Sequence, residues 1–487
     1  MVRSISLRDP IDVLSPAELT RVHEMTLDVL ENTGIKLTSP SVLKQLGEAG
    51  VKVDAEEERV WFTSDQVEAA IKTVPSTLVM GGRDPANTFV LDGSIGVLGV
   101  DGCAAEILDI DTDQKRPSTK KDLADVTRLG DALDNIGYIW QPVAARDVPV
   151  PVQPIHETEA GLRNTTKHLM QMTSVTAPQA QAIIEMATAI TGSAEQLRKE
   201  PIISAFQCSI SPLVYDGGPV EAALEYAKAG VPCGFMVMPI SCATTPASVS
   251  GTLVISNAEV LSGIAIMQTL QPGAPTFYGS CATCLDLRTG QATCGGPEDV
   301  FYQMANAQLA RHYDIRSIIG TFATGSKIWD WQAGVENAIS GMGSCLGGAD
   351  MFSGAGLLYG ARVLSPVQMV LDDETFDLIA TFKDGFTASP EDLAVEVIEA
   401  VGVGGHFLGE EHTREHFRDF WTSQLFDRDP WDVWESKGRP DPADNAKAKA
   451  RDLLENHEAT PLADDVSKEI DDIIERYSEL LIEEDEY

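Results

Sequence analysis

Apolar residues recur along this chain in two rhythms, short continuous runs and longer stretches at helical spacing, and from residue 118 onward the two alternate. The short runs at 136–140, 168–173, 202–207, 234–238, 276–279, 318–322 and 351–354 have the length and composition of buried strands. Between them, 118–131, 178–190, 219–229, 248–269, 297–311 and 331–346 carry helical spacing, several of them entered through Ser or Pro. Strands alternating with helices at intervals of roughly 30 to 40 residues predict a (β/α)8 barrel, with 368–371 as the eighth strand. A dinucleotide-binding open sheet would need G-x-G-x-x-G directly after a strand, and Gly402-Val403-Gly404-Gly405 follows a helical run instead.

The flanks are patterned differently. Ser15-Pro16-Ala17-Glu18 opens a helix whose apolar positions Leu19, Val22, Met25, Leu27 and Leu30 run to Gly34, and two shorter helices fit 41–49 and 64–73. Strand-like runs at 88–91 and 95–98 are separated by Asp92-Gly93, a hairpin signal. The expected organisation is α/β throughout: a mixed α/β extension over 1–115, the barrel over 116–390, and a helical extension over 391–487. Two amphipathic helices at 444–457 and 466–482 end the chain and are expected to cover the barrel floor or an oligomer contact.

Charge changes the picture of the surface. Asp and Glu outnumber Lys and Arg 74 to 36, a net charge of −38, and the acids are scattered instead of gathered in one patch. A dispersed excess fits a salt-adapted, halophilic surface, because salt near 1 M shortens the screening length to ~3 Å. Nucleic acid is excluded as a partner on the same ground. No apolar run is expected to reach the roughly 20 residues that span a bilayer. The opening MVRSISLRDPIDVLSP lacks the apolar core of a signal peptide, so a cytoplasmic protein without a membrane partner is expected.

The eight cysteines, Cys103, Cys208, Cys233, Cys242, Cys281, Cys284, Cys294 and Cys345, lie mostly among apolar or small residues and read as buried thiols. Cys281-x-x-Cys284 followed by Cys294 is the one stretch with partial metal spacing, and no second CxxC completes it. His412 and His416 stand at i, i+4, where a helix cap and surface pair is preferred over a metal, so no metal ligand is expected. The residues after the predicted strands are small, neutral and hydroxyl-bearing, as in Ser209-Ile210-Ser211-Pro212 and Ala323-Thr324-Gly325-Ser326-Lys327. Paired glycosidase carboxylates, a hydrolase triad order and a Walker loop are all missing.

Function is therefore sought in the stretch 316–373, and here a resemblance emerges. It rests on Ile210-Ser211-Pro212-Leu213, the run Pro239 to Pro246, Asn257-Ala258-Glu259, Gly325-Ser326-Lys327 with Asp330, Gln332-Ala333-Gly334 with Glu336, Gly354-Ala355-Gly356, and Leu371-Asp372-Asp373-Glu374. In their order and spacing these resemble the trimethylamine methyltransferase superfamily over essentially the whole chain. The resemblance implies a TIM barrel that passes a methyl group from a methylated amine to cobalt in a separate corrinoid protein docked over the barrel mouth. No cofactor is bound directly; the corrinoid (cobalamin) belongs to the partner. The family's trimethylamine enzymes use pyrrolysine, which this chain lacks. Members without it resemble glycine betaine:corrinoid methyltransferases. The implied substrate is then a quaternary amine, whose positive nitrogen leaves as a neutral amine, so that positioning and desolvation carry much of the catalysis.

The loop 320–327, where the missing residue is expected, offers Phe322, Thr324, Ser326 and Lys327 as catalytic candidates, although Lys327 beside Asp330 reads equally as an ion pair or cap. A quaternary ammonium donates no hydrogen bond and favours aromatic faces. Trp329 and Trp331, with Phe322, Phe352 and Tyr359, are candidates for such a cage, the alternative being core aromatics at a helix start. Gln332 and Glu336 complete the substrate-binding set, with Arg316 and Lys327 as partners for a betaine carboxylate and His156 as a further polar group. A homo-oligomer is expected. Two other classes remain open: a barrel that binds an osmolyte without turning it over, and a zinc-dependent thiol or methyl transferase using Cys281, Cys284 and Cys294. From the charge alone, the melting temperature is expected to rise between about 0.1 M and about 3 M KCl; a flat or falling curve would contradict the halophilic assignment.

Overall fold

The computed structural model describes residues 2–102, 104–171 and 174–485. Eight parallel strands form its centre: β1 (Ile95–Val100), β2 (Ile136–Trp140), β3 (His168–Gln171) and β4 (Ile203–Cys208). They continue with β5 (Cys233–Val237), β6 (Tyr278–Ser280), β7 (Ser317–Gly320) and β8 (Met351–Ala355). Each pairs in parallel with the next, and β8 pairs with β1 through Met351–Val97 and Ala355–Val100, closing the ring. A helix follows each strand: α1 (Lys120–Ala132), α2 (Gln153–Asn164), α3 (Ala177–Thr191) and α4 (Gly217–Ala229) after the first four. After the others come α5 (Val249–Leu270), α6 (Pro297–His312), α7 (Trp331–Gly347) and α8 (Pro366–Asp384). The (β/α)8 barrel expected from the alternation is present.

The interior is filled from the strands. Tyr138, Trp140, Met170, Phe206, Met236, Phe277, Ile318 and Met351 form one buried cluster inside the ring. Glycine makes room for these large residues: a Cβ on Gly99 of β1 would collide with the Tyr138 ring of β2. The floor is closed by the antiparallel pair Leu78–Met80 and Phe89–Leu91, whose Leu78, Met80, Phe89 and Leu91 join the same cluster.

Three expectations about the first barrel strand and the floor are corrected. Asp92-Gly93 does not close a hairpin: Phe89–Leu91 pairs with Leu78–Met80, and the chain, turning at Gly93 (φ 87), enters the barrel as β1. Strand β1 thus lies inside 1–115, and a boundary at 115 does not divide extension from barrel. The C-terminal helices Pro442–Asn456 and Asp464–Asp485 do not cover the floor; they lie against the outer helices, the first on α8 and α1, the second on α3 and α2.

The eighth strand is likewise not 368–371, which belongs to α8. Ser365 caps that helix, its Oγ accepting from the Gln368 amide at 3.2 Å, with Pro366 in the first turn. Its first turns are buried nearly all round, so their apolar run carries no period that separates helix from strand. Helix α2 escapes the sequence pattern because prolines at 149, 151 and 154 crowd its entry. The last two residues of the predicted strand 168–173 and Cys103 lie outside the described residues.

The flanking helices explain a further difference. Helix α5 is long and apolar enough to cross a membrane, contrary to the expectation that no run approaches that length. It is mostly buried, held between β5 and β6 on one side and the N-terminal helices Pro16–Asp28 and Ser64–Thr73 on the other. The first of these starts as its sequence predicts, with the Ser15 amide donating to the Glu18 carboxylate at 2.9 Å and the Glu18 amide to the Ser15 hydroxyl at 3.4 Å.

Candidate active site

Inward-facing residues at the C-terminal ends of the strands enclose a cavity of about 130 Å³. Its wall is Trp140 from β2, Phe206 and Cys208 from β4, Met236 and Met238 from β5 and its end, and Cys281 after β6. The Trp140 and Phe206 rings meet edge to face with centroids 4.5 Å apart. The rim is small: Gly102, Ala282, Gly320, Ala323 and Ala361. Asp101, just past β1, and Asp299, in the first turn of α6, both line the cavity. No Lys or Arg lines it among the described residues.

The two acids are held differently. One oxygen of Asp299 accepts from the Thr293 hydroxyl at 2.8 Å and from the Gly295 and Gly296 amides at 3.0 and 2.8 Å; the other is buried without a hydrogen bond. Asp101 is buried, and desolvation raises its pKa to about 8 against the weaker downward pull of the Ser353 hydroxyl and the Gly102 amide. The titratable groups acting with it across the barrel are acids too: Tyr138 and Cys281 are pushed well above their usual values, and the Cys294 thiol up to about 12, each chiefly by burial. Nothing positive compensates Asp101, so the cavity favours a cation.

The loop 320–327 supports this wall. Gly320 and Ala323 face the cavity. Phe322, in a left-handed turn (φ 49), points the other way, where a Cβ on Gly341 of α7 would touch its ring. Thr324 donates its hydroxyl to Glu336, which also accepts from the Gly325 amide at 3.0 Å and from Gln332 at 2.9 Å. Ser326 donates to Asp330 at 2.8 Å, and its carbonyl accepts from the Tyr359 amide at 2.6 Å. Thr324, Ser326, Gln332, Glu336 and Tyr359 thus tie the loop in place.

The remaining candidates do not converge on the cavity. Lys327 is exposed, donating to the Gly325 carbonyl at 2.6 Å and lying 5.2 Å from the Tyr359 ring centroid. Trp331 is 86% exposed at the start of α7, and Trp329 packs beside Leu358 and Ala333. Phe352 faces outward, its ring 5.9 Å from Phe376 of α8. Arg316 precedes β7 at the floor end, paired with Asp314 at 2.7 Å and Asp350 at 3.4 Å. His156 sits between α1 and α2 with its Nδ1 3.1 Å from Lys120 Nζ; burial first and Lys120 second lower its pKa. The aromatic faces available to a cation are therefore Trp140 and Phe206, not Trp329 and Trp331.

Among the described residues, no group of three His, Cys, Asp or Glu side chains is arranged to hold a metal ion. Cys284 instead lies 3.6 Å from the Tyr302 hydroxyl and Cys294 3.7 Å from that of Thr283. The cavity residues Trp140, Phe206 and Met236 were legible as strand residues, and period-two alternation assigns them one face; which face is inward depends on closure of the ring. Asp101 carries no signal in the sequence, because the run 95–98 before it reads as half of a hairpin.

A family model described as trimethylamine methyltransferase (MTTB) matches residues 2–481. The chain belongs to this family. A trimethylamine methyltransferase of Desulfitobacterium hafniense is 35% identical over 474 residues, 97% of this chain and 94% of its own. One of Methanosarcina barkeri is 32% identical over 477 residues, 96% and 95% of the two chains. A glycine betaine methyltransferase of Desulfitobacterium hafniense is 30% identical over 452 residues, 92% and 93% of the two. The crystal structure of Methanosarcina barkeri monomethylamine methyltransferase superposes with a TM-score of 0.55 at 12% identity, covering 93% of this chain and 90% of that one, a likeness of fold.

The protein is a methyltransferase, and the buried and exposed aromatic candidates of the 320–331 stretch separate by experiment. Phe322→Ala is expected to cost about 3–5 kcal/mol in urea unfolding, as for other fully buried Phe. Trp331→Ala, an exposed change, is expected to stay within about 0.5 kcal/mol. Equal costs would contradict the placement of these two rings.

Proposed function

We propose that this methyltransferase moves a methyl group from a quaternary amine, glycine betaine or a similar compound, to Co(I) of a separate corrinoid protein. The observation that carries the reading is the cavity: two aromatic faces, two thioethers and two carboxylates, without a lining Lys or Arg among the described residues. A quaternary ammonium is attracted to aromatic faces by their quadrupoles, most strongly when desolvated. Its charge offsets that of Asp101, whose own burial is otherwise uncompensated. The volume equals about four waters of liquid, room for a trimethylammonium head with the rest of the molecule toward the rim. The relative named as a glycine betaine methyltransferase supports the substrate class.

The reaction needs no protein acid or base. Two electrons from Co(I) form the bond to the methyl carbon, the C–N bond breaks with its pair on nitrogen, and a neutral tertiary amine leaves. The chain's residues hold the ammonium, exclude water and aim one methyl group at the rim. The rim of glycine and alanine leaves the approach to that methyl open to a flat macrocycle. The corrinoid is thus the methyl acceptor, carried by the partner.

Purified corrinoid partner reduced to Co(I) tests the assignment: its absorption is expected to change to that of methyl-Co(III) with a quaternary amine and to stay unchanged with trimethylamine. The opposite pattern rejects the quaternary substrate. Because the cation favours ionised Asp101, binding displaces a proton from the neutral acid, so affinity is expected to rise about tenfold per pH unit up to about 8 and then level. In Asp101→Asn that dependence should vanish. A wild-type affinity flat between pH 6 and pH 9 would remove Asp101 from the site.

A further inference from the structure

We infer that Asp299 selects among quaternary amines, favouring a short arm that ends in a hydroxyl over one that ends in a carboxylate, an assignment that rests on the cavity being a quaternary-ammonium site. Two polar atoms of the cavity wall are buried without a hydrogen bond among the described residues, Asp299 Oδ1 and Trp140 Nε1. Asp299 is 2% exposed. Its Oδ2 alone serves the start of α6, accepting from the Thr293 hydroxyl and from the Gly295 and Gly296 amides. Oδ1 is therefore left over from the fold. A buried acceptor that the protein gives no donor costs free energy until a ligand brings one.

The topology sets the orientation of that ligand. Asp101, Trp140 and Phe206 come from the ends of β1, β2 and β4, whereas Asp299 opens α6, which follows β6 on the opposite side of the ring. An ammonium held by the two rings and Asp101 has its remaining arm directed to the α6 side. Helix α6 starts at the level where the strands end, so Asp299 stands beside an arm that runs toward the rim. A hydroxyl on that arm donates to Oδ1. A carboxylate offers only acceptors to an acceptor, and an ether leaves Oδ1 unpaired. The unpaired donor, Trp140 Nε1, lies against Gly102 on the side of the head, away from the arm. The chemistry of the cavity thus matches a quaternary amino alcohol.

Titration calorimetry of the full chain at about pH 9, where Asp101 is ionised, compares tetramethylammonium, (2-hydroxyethyl)trimethylammonium, its O-methyl ether and glycine betaine. The hydroxyl compound is expected to bind at least about tenfold more tightly than the ether and than glycine betaine. Asp299→Asn keeps an acceptor for the helix start in its amide oxygen and presents the amide nitrogen in place of Oδ1. In that variant the advantage over the ether is expected to shrink to about twofold or less, which the bulk of the added methyl group does not produce. Equal affinity of the unmodified protein for the hydroxyl compound and either the ether or glycine betaine overturns the inference. An advantage over the ether that survives in Asp299→Asn overturns it as well, and the comparison in the unmodified protein decides even where the variant fails to fold. Binding of tetramethylammonium without any gain from the hydroxyl removes this inference and leaves the quaternary-amine reading standing. Absence of binding by all of the probes removes both.

Discussion

Closure of eight parallel strands into a ring is the constraint on which the rest of this molecule depends. A closed ring has an interior that side chains must fill, because its inward faces exclude most water and carry the close packing of a core. Here the lower part is filled by rings and thioethers from the strands and sealed by the Leu78–Met80 and Phe89–Leu91 pair. Small residues are confined to places where a neighbour fills the space, as Tyr138 does beside Gly99. Only at the strand ends does filling stop, where Gly102, Gly320 and Ala323 leave a gap bounded by Trp140 and Phe206.

That gap is electrostatically one-sided. Burial penalises an ionised carboxylate unless a cation or several donors compensate, and Asp101 has only weak compensation. Asp372, also buried, contrasts with it: the carboxylate accepts from Asn337 and Gln368 at 2.8 Å and from the Gly356 amide at 2.9 Å, fixing the turn after β8 to α8 and α7. Burial still raises the pKa of Asp372, to about 7, but three donors occupy it. A carboxylate supplied with donors is structural. One turned toward a cavity of rings and thioethers, with no cation beside it, keeps the charge of its ionised form unbalanced.

The loop after β7 shows how family signature residues and cavity residues divide the work. Thr324, Ser326, Asp330 and Glu336 satisfy the loop's own backbone and side chains, so that Gly320 and Ala323 are presented to the cavity. A residue recognisable by its chemistry can thus be the support, while the surface presented is a glycine and an alanine with no chemistry to notice.

Local pattern by itself determined the barrel class, seven of the eight strands to within a few residues, six of the eight barrel helices and the N-terminal caps, because these depend on period, capping and turn chemistry within a few residues of one another. Membership of the methyltransferase family was also legible, in motifs spread through the chain. Tertiary structure alone decided that 368–371 belongs to a helix, since a segment buried on nearly every side has no polar face to mark its period. Tertiary structure also decided that 95–100 is the first barrel strand, since its partners β2 and β8 lie far along the chain. The same holds for the site. Trp331 and Phe322 stand in the most suggestive stretch and yet face solvent and α7, whereas Trp140, Phe206 and Asp101, distant in sequence, meet because ring closure turns alternate residues of every strand toward one axis.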